Sequence, residues 1–405
     1  MSLREEIKES LIKSREVILR GGVNCIPSRF LRFRQDFPGI RKKFYYLITG
    51  GTKSSKTQLT NYMFVITPIF YYLEHPDLIK PTIMYFPLEE TKEEITLRFY
   101  AYVISVLSQG KYEISPENLE SVDERNPLPQ EVLDIMDSPE FIRIADTYEE
   151  CVHFYEDRNP TGIYKVIKSY LESNGRIVKE KKTITYVDEI TGQTRTETIE
   201  AFKEYIPNNP NEYIIPIVDH VGLLQEERGM TLKATIEKLS EYFVVLRNKY
   251  SVTPVVVQQQ NMETTNLEAF KANKIRPTKD GLKDSKRTGE DCSVLIGITN
   301  PFSFSLPEYM GYNINALRDS FRMMEIVLAR KGKANGLCPL YFNGAINRYE
   351  ELPLPNTAEL NNVYDFIKRK NKPTVNNILR SKHFKKLKKK KYGQQCNYFR
   401  SERHR

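Results

Sequence analysis

Eight residues, Gly50-Gly51-Thr52-Lys53-Ser54-Ser55-Lys56-Thr57, have the types and spacing that hold a polyphosphate. Loop and helix-start N–H groups converge on one anion, Lys56 reaches its outer phosphates, and the Thr57 hydroxyl suits the Mg²⁺ that bridges them. The pattern is Gly, four residues, then Gly-Lys-Ser/Thr, and Ser55 stands where the second glycine belongs. Glycine lets backbone approach phosphate with no Cβ in the way, so the serine either weakens nucleotide binding or reshapes the loop. Glu89, just past the apolar run Thr82-Ile83-Met84-Tyr85-Phe86, is placed to orient or deprotonate an attacking water, and is preferred to Glu90. Asp219 ends another apolar run, Ile214 to Val218, and fits the Mg²⁺ shell, directly or through water. The amides Gln258-Gln259-Gln260-Asn261 end a third run, where they could sense a γ-phosphate and signal to the loop beyond.

These residues need strands that end at one edge and helices that start there. Phe44–Ile48 reads as the strand before the phosphate loop, with a helix from Thr57 to about Val65 after it. Pro216 is awkward inside the strand that leads to Asp219, which is therefore expected to begin after it. Leu232–Tyr250 has apolar residues at helical spacing, and Ser293–Ile298 reads as a further strand. Ile326–Ala329, Leu340–Phe342 and Arg348–Tyr349 read as antiparallel strands at the end of the sheet, with the cationic turn Arg330-Lys331-Gly332-Lys333 between the first two. Lys182 to Phe202 alternates around Asp188-Glu189-Ile190-Thr191-Gly192 as a surface hairpin. Residues 2–19 carry Leu3, Ile7, Leu11, Ile12 and Ile18 as the stripe of an amphipathic helix that the body of the chain or a neighbour must cover.

The 405 residues allow two or three domains, or one large domain with an insertion. No apolar run is long enough for a membrane span, and Met1–Arg20 is too charged for a secretory signal. Five scattered cysteines without a metal-binding spacing fit free thiols in a reducing cytoplasm. The formal charge of +9 is concentrated at the C-terminal end, where Lys385 to Lys391 reads as a flexible arm for a polyanion.

Taken in order, YFPLEETKEEITLRF (85–99), VDHVGLL (218–224), IEKLSEYFVVLRNKYSVTPVVVQQQN (236–261), RPTKDGLKDSKRTGEDCSVLIGI (276–298) and GLCPLYFNGAINRYEEL (336–352) resemble the RecA-type ATPase domain of DnaB-type replicative helicases. The overall form is similar to the DnaB-like proteins of bacterial viruses, including the crAss-like phages. The resemblance implies an α/β fold, a RecA-like P-loop NTPase core with a mainly parallel central sheet flanked by helices, a β-hairpin insertion and a C-terminal antiparallel extension. It implies a linker-type helix over 1–21, the ATPase domain over 22–355 with an insertion at about 109–210, and a basic tail over 356–405. The separate helical N-terminal domain of the bacterial helicases is expected to be missing.

By the same resemblance the cofactors are ATP and Mg²⁺, with Lys56 on phosphate, Thr57 and Asp219 on the metal, Glu89 as catalytic base and Gln259 as γ-phosphate sensor. The loop after Gln259 would face the DNA channel, which makes Lys271, Lys274, Arg276 and Lys279 DNA-contact candidates. A basic finger entering the neighbour's ATP site falls near Ala329-Arg330-Lys331, with Arg330, Lys331 and Lys333 as candidates. The implied activity is 5′-to-3′ translocation on single-stranded DNA in a ring, usually a homo-hexamer, with a primase or loader as partner, in the cytoplasm of a cell or viral host. Two other readings share the residues: a RecA-like recombination or annealing ATPase, and a non-catalytic DNA-binding or loader protein with a degenerate loop.

Overall fold

The computed structural model of the chain describes residues 2–122, 127–187, 192–261 and 275–370. They form two units, Met1–Leu306 with Asp319–Leu352, and Pro307–Arg318 with the segment from Pro353 onward. Besides the short pair Ile26–Pro27 and Gly39–Ile40, the strands of the first unit are β1 (Tyr46–Gly50), β2 (Lys80–Pro87), β3 (Val152–Phe154), the pair β4 (Gly175–Val187) and β5 (Thr194–Pro207), β6 (Glu212–Asp219), β7 (Val255–Gln259), β8 (Val294–Thr299), β9 (Phe321–Ala329), β10 (Leu337–Asn343) and β11 (Arg348–Glu351). Nine of these make one sheet among the described residues, in the order β11-β10-β9-β8-β1-β7-β6-β2-β3. From β8 to β3 the neighbours are parallel, and β9, β10 and β11 add antiparallel strands beyond β8. This is the expected RecA-like architecture.

The helices used below are α1 (Leu3–Leu19), α2 (Lys56–Asn61), α3 (Thr67–Glu74), α4 (Lys92–Leu107), α5 (Pro139–Cys151), α6 (Pro160–Ser173) and α7 (Leu232–Tyr250). Alternate residues of the central strands enter different cores, so both faces of the sheet are buried there. Tyr46 and Ile48 join α2, α4 and α5 on one side, and Tyr45 and Leu47 join α6 and α7 on the other. A sheet covered on both faces needs near-continuous apolar strands, which is why β6 and β7 read as unbroken runs.

The helix after the phosphate loop runs farther than expected, through a wide turn at Tyr62–Ile66 into α3. There the Thr67 N–H bonds to the Tyr62 carbonyl five residues back, and the helix continues past Pro68, whose nitrogen has no hydrogen to give. The strand to Asp219 does not begin after Pro216. It runs through that residue, opposite Met84 on β2, while its ladder with β7 starts only at Ile217, beyond the proline. The hairpin is longer than expected, since β4 starts at Gly175, and its residues 188–191 lie outside the described residues. The segment from 356 on, expected as a tail, opens with the helix Ala358–Lys370.

Candidate nucleotide site

Strand register brings the separated motifs together. Gly50 lies opposite Gln259 on β7 and Ile298 on β8, and Pro87 opposite Asp219. The phosphate loop, the turn with Glu89 and Glu90, Asp219 and Gln259 therefore leave the sheet at one edge, where the strands end and α2 begins. They line one cavity of about 490 Å³ with Thr52, Lys53, Ser55, Lys56, Thr57 and Arg322. Open parallel sheets bind ligands at such a carboxyl edge.

Lys56 is half-buried and donates to the Gly51 carbonyl at 3.0 Å. Burial lowers its pKa, opposed by the carboxylates of Asp219 and Glu89. Asp219 is 3% exposed, and burial raises its pKa to about 7, against a hydrogen bond from Thr57 and with help from Glu90 and Glu89. Its Oδ2 receives a 3.4 Å contact from the Tyr85 hydroxyl, which also donates to Asn61 Oδ1 at 3.0 Å. Asp219 Oδ1 is buried with no hydrogen-bond partner among the described residues. A hard cation fits that lone oxygen and the Thr57 hydroxyl, because Mg²⁺ takes one or two protein oxygens and completes its shell from phosphates and water.

The two glutamates differ in environment. Glu90 Oε1 is held by Arg98 at 2.8 Å, whereas Glu89 is exposed and meets the His220 Nε2 at 3.6 Å. Among the described residues, no lysine or arginine pairs with Glu89 at the mouth of the cavity. Gln259 donates from Nε2 to the Thr52 hydroxyl at 2.6 Å, so the amide bridges β7 to the phosphate loop.

The other candidates lie elsewhere. Lys271 and Lys274 are outside the described residues. Arg276 is not a free surface cation: its guanidinium pairs with Glu325, which is buried on β9. Lys279 is half-buried on the segment that leads from β7 to β8. None of Arg330, Lys331 and Lys333 lines the chain's own nucleotide cavity. Arg330 donates to the Cys292 carbonyl at 2.8 Å, and Lys333 pairs with Asp36 at 3.3 Å.

Sequence reasoning missed Arg322. It is the second residue of β9, which starts five residues before the expected strand, and the charged residues Arg322 and Glu325 hid that start. A signal was present: an arginine inside Phe321-Arg322-Met323-Met324-Glu325-Ile326 must find a partner if the strand is buried.

The fold is that of a RecA-like P-loop core, with the cavity at its carboxyl edge. No family model and no curated protein matches the sequence. Among solved structures the chain is similar to one described as an ATPase domain, at 13% identity and a TM-score of 0.56, over 86% of this chain and 99% of that one. It is similar as well to a DnaB-like replicative helicase whose structure was described with its interactions with primase, at 13% identity and a TM-score of 0.57. That match covers 85% of this chain and 66% of the helicase chain, so the protein spans just under two thirds of its length. The fold shared with both is that of the DnaB-like helicase ATPase domain.

Proposed function

We propose that the protein is an ATP-dependent replicative DNA helicase of DnaB type that hydrolyses Mg-ATP in a ring and moves along single-stranded DNA. The observation that carries this reading is the convergence of Lys56, Thr57, Asp219, Glu89 and Gln259 on one cavity at the carboxyl edge of the sheet. Lys56 and the loop N–H groups bind the triphosphate, and Thr57 with Asp219 Oδ1 holds Mg²⁺. Bound there, Mg²⁺ would neutralise charge on the β- and γ-phosphates. Glu89 orients the attacking water and takes its proton. Gln259 senses the γ-phosphate while tied to Thr52, and passes the change to the segment after β7, where Lys271, Lys274 and Lys279 hold the DNA backbone. Arg330 and Lys331 serve the neighbour's site in a homo-hexamer, with primase or a loader as further partner, in the cytoplasm.

ATP turnover with Mg²⁺, measured with and without single-stranded DNA, tests the reading. Stimulation by DNA that disappears in Lys56→Ala supports it, and strand displacement on a forked substrate then separates a helicase from a recombinase. Unchanged turnover in Lys56→Ala refutes the site.

A further inference from the structure

Ser55, where the pattern has glycine, sits at φ 71° and ψ 37°, the left-handed region that glycine enters without penalty and serine does not. It also precedes α2, and a serine there ordinarily turns its hydroxyl onto the helix N–H groups, the donors a phosphate would use. Ser55 makes no such bond. Its hydroxyl instead accepts from Arg322 Nε at 3.1 Å and Nη2 at 3.0 Å.

The arginine is built in. Its side chain is 2% exposed and lies over the Phe342 ring at 4.7 Å. Nη1 donates to the Asp319 and Phe321 carbonyls at 2.6 and 2.8 Å, and Nη2 reaches Asp319 Oδ1 at 3.3 Å. The Tyr349 hydroxyl, from β11, donates to the Ser55 carbonyl at 3.1 Å. Two strands of the antiparallel extension thus grip one residue of the phosphate loop.

We propose that Arg322 is a positioning residue for the phosphate loop that acts through Ser55, fixing the left-handed turn and keeping the serine hydroxyl off the helix N-terminus so that its N–H groups stay open to the triphosphate. The loop and the arginine are then one device, in which the glycine's conformational freedom is replaced by a side-chain clamp. The inference rests on the reading of the cavity as an ATP site.

The test is a double-mutant cycle on the full chain: wild type, R322A, S55G and R322A/S55G, with the Kd for a fluorescent ATP analogue plus Mg²⁺ and the melting temperature read for each. R322A should weaken binding about tenfold or more, as expected for losing hydrogen bonds from a charged donor. In the S55G background the same substitution should cost only about twofold, because the acceptor it serves is gone. Equal loss in both backgrounds overturns the proposal and leaves Arg322 a packing residue. Where R322A melts too low to assay, R322K enters the same cycle, since it keeps charge without the forked geometry. Coupling of R322K to S55G supports the clamp and its absence overturns it. A wild-type protein that binds no Mg-nucleotide, while folded, refutes the ATP reading itself, which is a separate result from an uncoupled cycle.

Discussion

Asp219 sets the pH behaviour of the site. Its folded pKa of about 7 lies above the carboxylate range near 4 that an unfolded chain would show. The bound proton therefore favours the folded, metal-free protein at low pH, and that contribution is lost as pH rises from about 4 through about 7. Metal binding runs the other way, because Mg²⁺ needs the carboxylate and must displace the proton. Affinity for the Mg-nucleotide should fall about tenfold per unit below pH 7 and level off above it, with proton release on binding seen by calorimetry in two buffers. A flat profile from about pH 5.5 to about 8 would remove Asp219 from the metal shell. The residues of this site were legible because each stands at the end of an apolar run, where the strand puts it at the sheet edge. Arg322 was not, because its partner is 267 positions away in sequence and only the register of β9 beside β8 joins them.

Gln258 and Gln259 end β7 and Gln260 follows directly, and the alternation of the extended chain gives the three amides different tasks. Gln258 is buried, donates to the Lys283 and Ser285 carbonyls at 2.5 and 2.7 Å, and accepts from the Thr288 hydroxyl. Gln260 is buried too, bonded to Thr49 Oγ1 at 3.1 Å and to the Thr278 carbonyl at 2.9 Å. Gln259 alone turns to the cavity, while its backbone carbonyl accepts from the Lys283 N–H at 2.9 Å. The strand end therefore locks residues 278–288 with two side chains and leaves the third facing the cavity, where the proposed sensor role falls. Gln258→Ala should lower stability by about 1–3 kcal/mol through stranded buried partners. Gln259→Ala should keep the melting midpoint and lose DNA-stimulated turnover. Denaturant unfolding beside ATPase assays checks both, and a Gln259→Ala protein still fully stimulated by DNA would end the sensor assignment. The apolar run of β7 was readable in the sequence, but a run of identical residues carries no pattern of its own, and it was the resemblance that singled out Gln259, the amide that faces the loop. The same holds for β9, where buried Arg322 and Glu325 interrupt the apolar signal that marks β6 and β7.

At the scale of the assembled protein, the surface that asks for a cover is α1. Ser2 and Glu5 close a reciprocal cap at its start, yet among the described residues the helix buries none of its side chains. Leu3, Ile7, Leu11, Val17, Ile18 and Leu19 all stand exposed, Leu3 at 71% and Leu11 at 65%. Helices in proteins draw most of their stability from packing an amphipathic face, so a second copy of the chain is the natural cover in the proposed ring. The cationic turn at Arg330 and Lys331 points to the same conclusion, as neither lines the chain's own cavity. β9 joins the two, with Arg322 against the phosphate loop at one end and the turn proposed to serve a neighbour at the other. Burying an aliphatic side chain contributes about 1.5–3 kcal/mol, so Ile7→Glu with Leu11→Glu should remove roughly 3–6 kcal/mol from each junction. Sedimentation velocity should then show smaller species at concentrations where the parent chain is assembled. Turnover per chain should fall in parallel and recover at high protein concentration, because each site would lack its neighbour's cation until the ring closes. A double variant of unaltered mass and turnover would show that α1 is not the junction.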